Sequence, residues 1–159
     1  MAVIRKPSGL DLAAYRTLLA SNALRTEDLG APAGFWLVAA ESGQLVGGAG
    51  LEFGTGRHAD SALLRSVVVA EKLRRQGLAT ALVEALVAEA QARGCTWLYA
   101  FSTGAPEFFR AGGFRETTPD ELAASLPEAP QVKLFTRLKW LETEQAHRRD
   151  ISPAPDDAP

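Results

Sequence analysis

EKLRRQGLAT, residues 71–80, places Lys72, Arg74 and Arg75 beside Gly77, directly ahead of the run LATALVEALVAEAQAR at 78–93. The alanine- and leucine-rich run reads as a long helix, and Gly94 follows it as a stop signal. A helix N-terminus already carries unsatisfied N–H groups and a partial positive charge. Three further cations there are unfavourable for the protein alone and become favourable once an anion is in place. Gly77 lets the chain come close to a ligand and take backbone angles that other residues avoid. Amides from Arg75 to Thr80 then suit a phosphate or pyrophosphate, and Arg74 and Arg75 can add charge-assisted bonds. A solvated basic turn ahead of an ordinary core helix accounts for the same residues. A Walker-type loop is excluded, because no G-x-x-x-x-G-K-[ST] run occurs. GTGRHAD at 54–60 is no dinucleotide fingerprint either, since no helix follows it.

Upstream, LLRSVVV at 63–69 belongs to a valine-rich strand candidate over 61–70. FWLVAA at 35–40, the turn ESGQ, and LVGGAGLEFG at 45–54 read as a hairpin of two buried strands. A short strand at 2–6 opens the chain. SGLDLAAYRTLLASNAL at 8–24 has helical periodicity, with Ser8 or Asp11 as the cap. Downstream, CTWLYAFS is a strand, APEFFRAG a short helix, GFRET a short strand, and TPDELAASL a helix with Pro119 near its start. QVKLFTRLKWL at 131–141 reads as the last strand. The expected fold class is α/β, a mixed, mostly antiparallel central sheet with helices on both faces. The expected organisation is one domain over 1–139, followed by a charged, proline-rich and largely disordered tail over 140–159.

A chain of 159 residues can bury a full core in one domain. The net charge of −2 and pI of about 5.7 argue against general nucleic-acid binding, so any anion site is local. Cys95 is the single cysteine, which rules out an intrachain disulfide and fits a reducing compartment. MAVIRKPSGL has no signal-peptide apolar run, and no stretch approaches the roughly 18 apolar residues of a membrane span. The reading is cytoplasmic, with no membrane partner. His58 and His147 stand apart from each other and from Cys95, so no metal is assigned.

VVVAEKLRRQGLATALVEAL at 67–86 resembles the acetyl-CoA-binding motif of the GCN5-related N-acetyltransferases, R/Q-x-x-G-x-G/A. Arg74, Gly77 and Ala79 fill it. APEFFRAGGF at 105–114 resembles the family's late helix-to-strand segment, and the likeness extends over roughly residues 2–139. The resemblance implies the family's fold and acetyl-CoA as co-substrate. It implies that main-chain groups of Val67, Val68 and Val69 line the pantetheine arm. It implies that amides of Arg75, Gln76, Gly77, Leu78, Ala79 and Thr80 hold the pyrophosphate, with Arg74 nearby.

Acetyl transfer to an amine requires deprotonation of the amine, polarisation of the carbonyl and stabilisation of the thiolate. Glu52, in a strand otherwise made of small and apolar residues, is the candidate base; a solvent-facing strand glutamate is the bland alternative. Many family members carry a tyrosine in the late helix as acid, and here Phe109 falls at that position, with no proton to give. Water, Ser102 or Thr103 then assists, or the thiolate leaves without a dedicated acid. Arg65, a charge inside an apolar strand, either reaches solvent or faces a polar cavity, where it can clamp a carboxylate of the acceptor. GLEFG, ALLRSVVV and STGAPEFFRAGGFR together look similar to the family's arsenic-resistance branch, which implies a small amino-acid-like amine as acceptor. The expected function is therefore N-acetyl transfer by direct attack in a ternary complex, and a homodimer is compatible with it. The rival is an acyl-CoA-binding regulatory module with little or no catalysis, which the phenylalanine at 109 keeps open.

Overall fold

A computed structural model describes residues 1–29 and 34–153. The strands are β1 (Val3–Arg5), β2 (Gly34–Glu41), β3 (Gln44–Phe53), β4 (Ser61–Val69), β5 (Trp97–Phe101), β6 (Arg115–Thr117) and β7 (Ala146–Asp150). The helices are α1 (Asp11–Ser21), α2 (Leu78–Ala92), α3 (Pro106–Ala111), α4 (Pro119–Ser125) and α5 (Pro130–Arg137). The strand order is β1-β2-β3-β4-β5-β7-β6. β1 runs antiparallel to β2, and β7 runs antiparallel to both β5 and β6. This is the α/β class expected from the sequence. By contacts the chain divides into two compact units, Met1–Leu51 with Leu64–Leu86, and Glu52–Leu63 with Val87–Pro159.

The first unit is built around aromatic rings seated on glycines. Tyr15, Leu19, Leu29, Trp36, Val38 and Val68 form its buried cluster. Tyr15 and Trp36 meet edge to face with centroids 6.3 Å apart. The run GGAG in β3 exists to admit them. A Cβ on Gly48 would lie 2.7 Å from the Tyr15 ring, and one on Gly50 would lie 2.1 Å from that of Trp36. At the start of α1 the Asp11 carboxylate accepts the Ser8 N–H at 2.7 Å and an Arg5 N–H at 2.6 Å. Neither Ser8 nor Asp11 is the cap: the N-cap is Leu10, with no side-chain bond, and Asp11 reaches back from the first turn to Ser8, ahead of the helix.

The second unit packs Leu63, Tyr99, Leu122, Leu126, Ala129, Val132 and Ala146 together. Thr118 caps α4, its hydroxyl accepting the Glu121 N–H at 3.1 Å, with Pro119 in the first turn as the sequence indicates. Two expectations fail here. QVKLFTRLKWL is not a strand: residues 130–137 are α5, with Pro130 at its start and Gln131, Val132, Leu134 and Phe135 buried. That spacing is one face of a helix, which the β-rich composition of the run disguises. The last strand is instead AHRRD, inside the stretch expected to be a disordered tail. It carries no apolar alternation, and its pairing rests on charged side chains held by neighbours. Arg148 bonds Glu121 at 2.8 Å and lies 4.7 Å from the Trp97 ring centroid. The SPAPDDAP stretch from residue 154 on lies outside the described residues.

Candidate active site

The basic stretch folds as a short 3-10 turn, Glu71–Leu73, followed by an exposed link into α2. Arg75 and Gly77 both adopt left-handed backbone, with φ of 66° and 81°. A Cβ on Gly77 would meet nothing within 4 Å, so glycine is favoured there by its backbone angle and not by crowding. Alternating left-handed residues turn successive amides to one side, the arrangement that makes a concave anion seat ahead of a helix. A cleft of about 380 Å³ borders this link, walled in part by Glu41, Leu73, Gln76, Gly77, Leu78 and Ala81. Exposed amides, an exposed arginine at 75 and open space beside Gly77 fit a pyrophosphate.

Arg74 is less available than the sequence suggests. Its Nε donates to the Val69 carbonyl at 3.2 Å, and an Nη donates to the Asn22 side-chain oxygen. It braces the end of β4 against the link. On that strand Val68 and Val69 are buried and Val67 half-buried. Arg65 is 4% exposed: an Nη donates to the Glu27 carbonyl at 2.6 Å and its Nε to the Ser66 hydroxyl at 3.0 Å. Its guanidinium lies 5.5 Å from the Trp36 ring centroid. Ser66 is left-handed within the strand, at φ 60°, and its carbonyl accepts the Tyr15 hydroxyl at 2.6 Å. The arginine in an apolar strand therefore points inward to polar company, not out to solvent.

In the second unit Glu52 is 2% exposed, and one carboxylate oxygen accepts the Gln131 N–H at 3.0 Å. Gln131 sits in the first turn of α5, where backbone N–H groups lack intrahelical partners, and the carboxylate satisfies one of them. The solvent-facing alternative for Glu52 fails. The link to α5 was hidden in the sequence because residues 131–141 read as a strand.

Ser102 and Thr103 follow β5. The Thr103 hydroxyl accepts the Gln145 N–H at 2.7 Å, which ties it to the approach to β7. Ser102 is 1% exposed, and its hydroxyl meets Nδ1 of His147, itself 1% exposed. Phe109, also buried, touches Phe108 and Phe114 at centroid distances of 5.3 Å and stacks on the His147 ring. Burial holds the His147 imidazole below its ordinary pKa; Glu116 opposes that shift and Arg110 adds to it. Sequence reasoning considered His147 only as a metal ligand and gave it no place in the site. The only signal was a histidine near the end of the chain, in a segment whose charge concealed a strand. Among the described residues no group of three or more His, Cys, Asp or Glu could hold a metal ion. No helix there is long and apolar enough to cross a membrane.

Residues 9–114 match the model of the acetyltransferase (GNAT) family. Among solved structures, the chain is similar to N-acetylglutamate synthase from Neisseria gonorrhoeae complexed with coenzyme A and N-acetyl-glutamate, with a TM-score of 0.75 and 22% identity. That match covers 96% of this chain but only 36% of the synthase, so the chain spans about a third of that relative. A GNAT acetyltransferase from Staphylococcus aureus gives a TM-score of 0.74 at 15% identity, covering 96% of this chain and all of the other. Aminoglycoside 6'-N-acetyltransferase complexed with coenzyme A gives 0.67 at 17% identity, covering 97% and 99%. At such identities the likeness speaks for the fold. A search of curated proteins gave no match.

Proposed function

Because the chain belongs to the GNAT acetyltransferase family, we propose that it moves the acetyl group of acetyl-CoA to a primary amine of a small, amino-acid-like molecule by direct transfer in a ternary complex. The observation that carries the reading is the exposed link ahead of α2, with left-handed Arg75 and Gly77. Amides from Arg75 to Thr80 bind the pyrophosphate and Arg75 adds charge, while Arg74 fixes the link to β4. Main-chain groups of Val67, Val68 and Val69 run along the pantetheine arm.

Glu52 takes the amine proton, directly or through water. Its bond from the Gln131 amide holds one carboxylate oxygen and leaves the other to meet the amine or a water. Arg65 serves a carboxylate or another oxyanion of the acceptor, and the buried setting strengthens such a bond. Phe109 lines the acyl pocket and donates nothing. Ser102 and Thr103, between β5 and α3, serve the acceptor or assist the departing thiolate. The reading has the chain working in the cytoplasm, without metal, nucleic acid or membrane, as a monomer or homodimer. An acyl-CoA-binding regulatory module is the second reading, and Phe109 in place of a tyrosine is the observation that favours it.

The test is coenzyme A binding by calorimetry together with thiol release from acetyl-CoA across a panel of amines and amino acids. Binding with amine-dependent release supports transfer. Binding without release supports the module, and absence of binding removes both.

A further inference from the structure

Ser66 stands inside β4 with left-handed backbone, at φ 60°. A serine enters that region only at a cost, and within a strand it interrupts the ladder. The hydrogen bonds record the interruption. The Gly54 N–H donates to the Ser61 carbonyl at 2.9 Å, and farther along the Ala70 N–H donates to the Val46 carbonyl at 2.8 Å. Between these bonds β4 advances nine residues, from 61 to 70, while β3 covers eight, from 54 to 46. β4 therefore carries one extra residue, a bulge. Ser66 and Val67 are also the only residues of β4 that are not buried. Two buried side chains hold Ser66 in this state. The Tyr15 hydroxyl, from α1, donates to its carbonyl at 2.6 Å, and Arg65 Nε donates to its hydroxyl at 3.0 Å. Tyr15 is fully buried. Burial pushes its pKa far above the ordinary phenol value, against the pull of the Arg65 cation, so the hydroxyl keeps its proton for donation.

We propose that Tyr15 is a positioning residue for the co-substrate: its hydroxyl locks left-handed Ser66 and so fixes the β4 bulge that frees main-chain groups of Val67, Val68 and Val69 for the pantetheine arm. This rests on the reading of those valines as the wall of the coenzyme A site. β4 lies between β3 and β5, and an unbroken strand there spends its N–H and C=O groups on its two neighbours. A bulge takes some of them out of the ladder. A ligand that needs those groups binds only the bulged form, so its apparent affinity scales with the fraction of chains in that form. The Tyr15 bond raises that fraction without touching the ligand. Gly48 makes the bond possible, because a Cβ there would lie 2.7 Å from the Tyr15 ring.

The test is calorimetric titration of the full-length chain with coenzyme A. Tyr15→Phe removes the hydroxyl and keeps the ring. One net hydrogen bond shifts an equilibrium by about tenfold, so the affinity is expected to fall about tenfold. Two double variants separate the lock from general stability. Tyr15→Phe/Ser66→Gly should return to within about threefold of the parent, because glycine enters the left-handed region freely. Tyr15→Phe/Ser66→Ala lacks the same hydroxyl and should stay weak. A merely structural tyrosine would lower the urea midpoint of all three and leave the affinity of the folded chain unchanged. In turnover, Tyr15→Phe should raise the KM for acetyl-CoA and keep kcat within about twofold. Parent-like affinity in Tyr15→Phe, or equal affinities in the two double variants, overturns the proposal. If Tyr15→Phe does not fold, Ser66→Thr against Ser66→Gly carries the test. Threonine keeps a hydroxyl for Arg65 but resists left-handed backbone, so it should bind about tenfold more weakly than the glycine variant, and equal affinities overturn the lock. No coenzyme A binding by the unmodified chain sinks the coenzyme A reading and this role with it, and shows before any substitution is made.

Discussion

The Phe109 ring lies stacked on the His147 imidazole, with centroids 6.2 Å apart and planes 20° apart. The stack seals a titratable group inside the second unit, and its pKa is held below the ordinary imidazole value, chiefly by burial. The folded chain therefore binds a proton at His147 less readily than the unfolded chain does. Stability from this residue is fully present above about pH 6.5, the unperturbed value, and is lost as the pH falls from there towards the lower folded-state value. Urea midpoints measured from pH 8 to pH 5 should drop on the acid side, and His147→Asn should flatten that slope. A parent slope unchanged by the substitution would assign the acid sensitivity elsewhere.

Gly50→Ala would place a methyl carbon where Trp36 already sits, since the added Cβ would lie 2.1 Å from the ring. Overpacking of this kind costs about 1–3 kcal/mol. Chemical denaturation should show that loss, and adding Trp36→Leu should recover part of it by vacating the same space. No recovery in the double variant would mean that the strain resides in the strand backbone and not in the contact.

Gly77→Ala meets no atoms, so its cost is the left-handed backbone alone, about 1–2 kcal/mol. Arg75→Ala leaves a non-glycine residue in the same left-handed state and should change stability by no more than about half a kcal/mol. Both should weaken coenzyme A binding, the first through geometry and the second through charge. Calorimetry at two salt concentrations checks this: the Arg75→Ala deficit should shrink as salt rises, whereas the Gly77→Ala deficit should persist.

Glu52→Gln keeps an oxygen for the Gln131 N–H, so the start of α5 should hold and coenzyme A affinity should survive. Removing a base typically costs a hundredfold or more. The pH profile of kcat/KM should lose its acidic limb together with that rate. A variant with the parent's profile would remove Glu52 from the chemistry and leave it as a helix anchor.

Sequence legibility tracked how local the determinants are. The link ahead of α2 was readable because charge, glycine and helix onset lie within ten adjacent residues, and Thr118 and Pro119 announced α4 for the same reason. The left-handed state of Arg75 was not readable, since no arginine advertises it. Arg65 could be flagged as an anomaly but not aimed, because its partners, Glu27 and Trp36, come from distant parts of the chain. The helix at 130–137 and the strand at 146–150 exchanged appearances. The first is rich in β-favouring side chains yet buries one helical face, and the second is charged yet paired on both sides. That exchange hid both the amide behind Glu52 and the histidine behind Ser102.

The central claim is acetyl transfer, and thiol release from acetyl-CoA with simultaneous detection of the N-acetyl product tests it most directly. The panel should pair primary amines that carry a carboxylate with the same amines lacking it. The account predicts stoichiometric thiol and N-acetyl product with at least one small amine, faster for the carboxylate-bearing member of its pair, and a rate for Glu52→Gln about a hundredfold or more below the parent's. Coenzyme A bound tightly, with thiol release no faster than in buffer for every amine, would contradict it and leave the chain as a binding module.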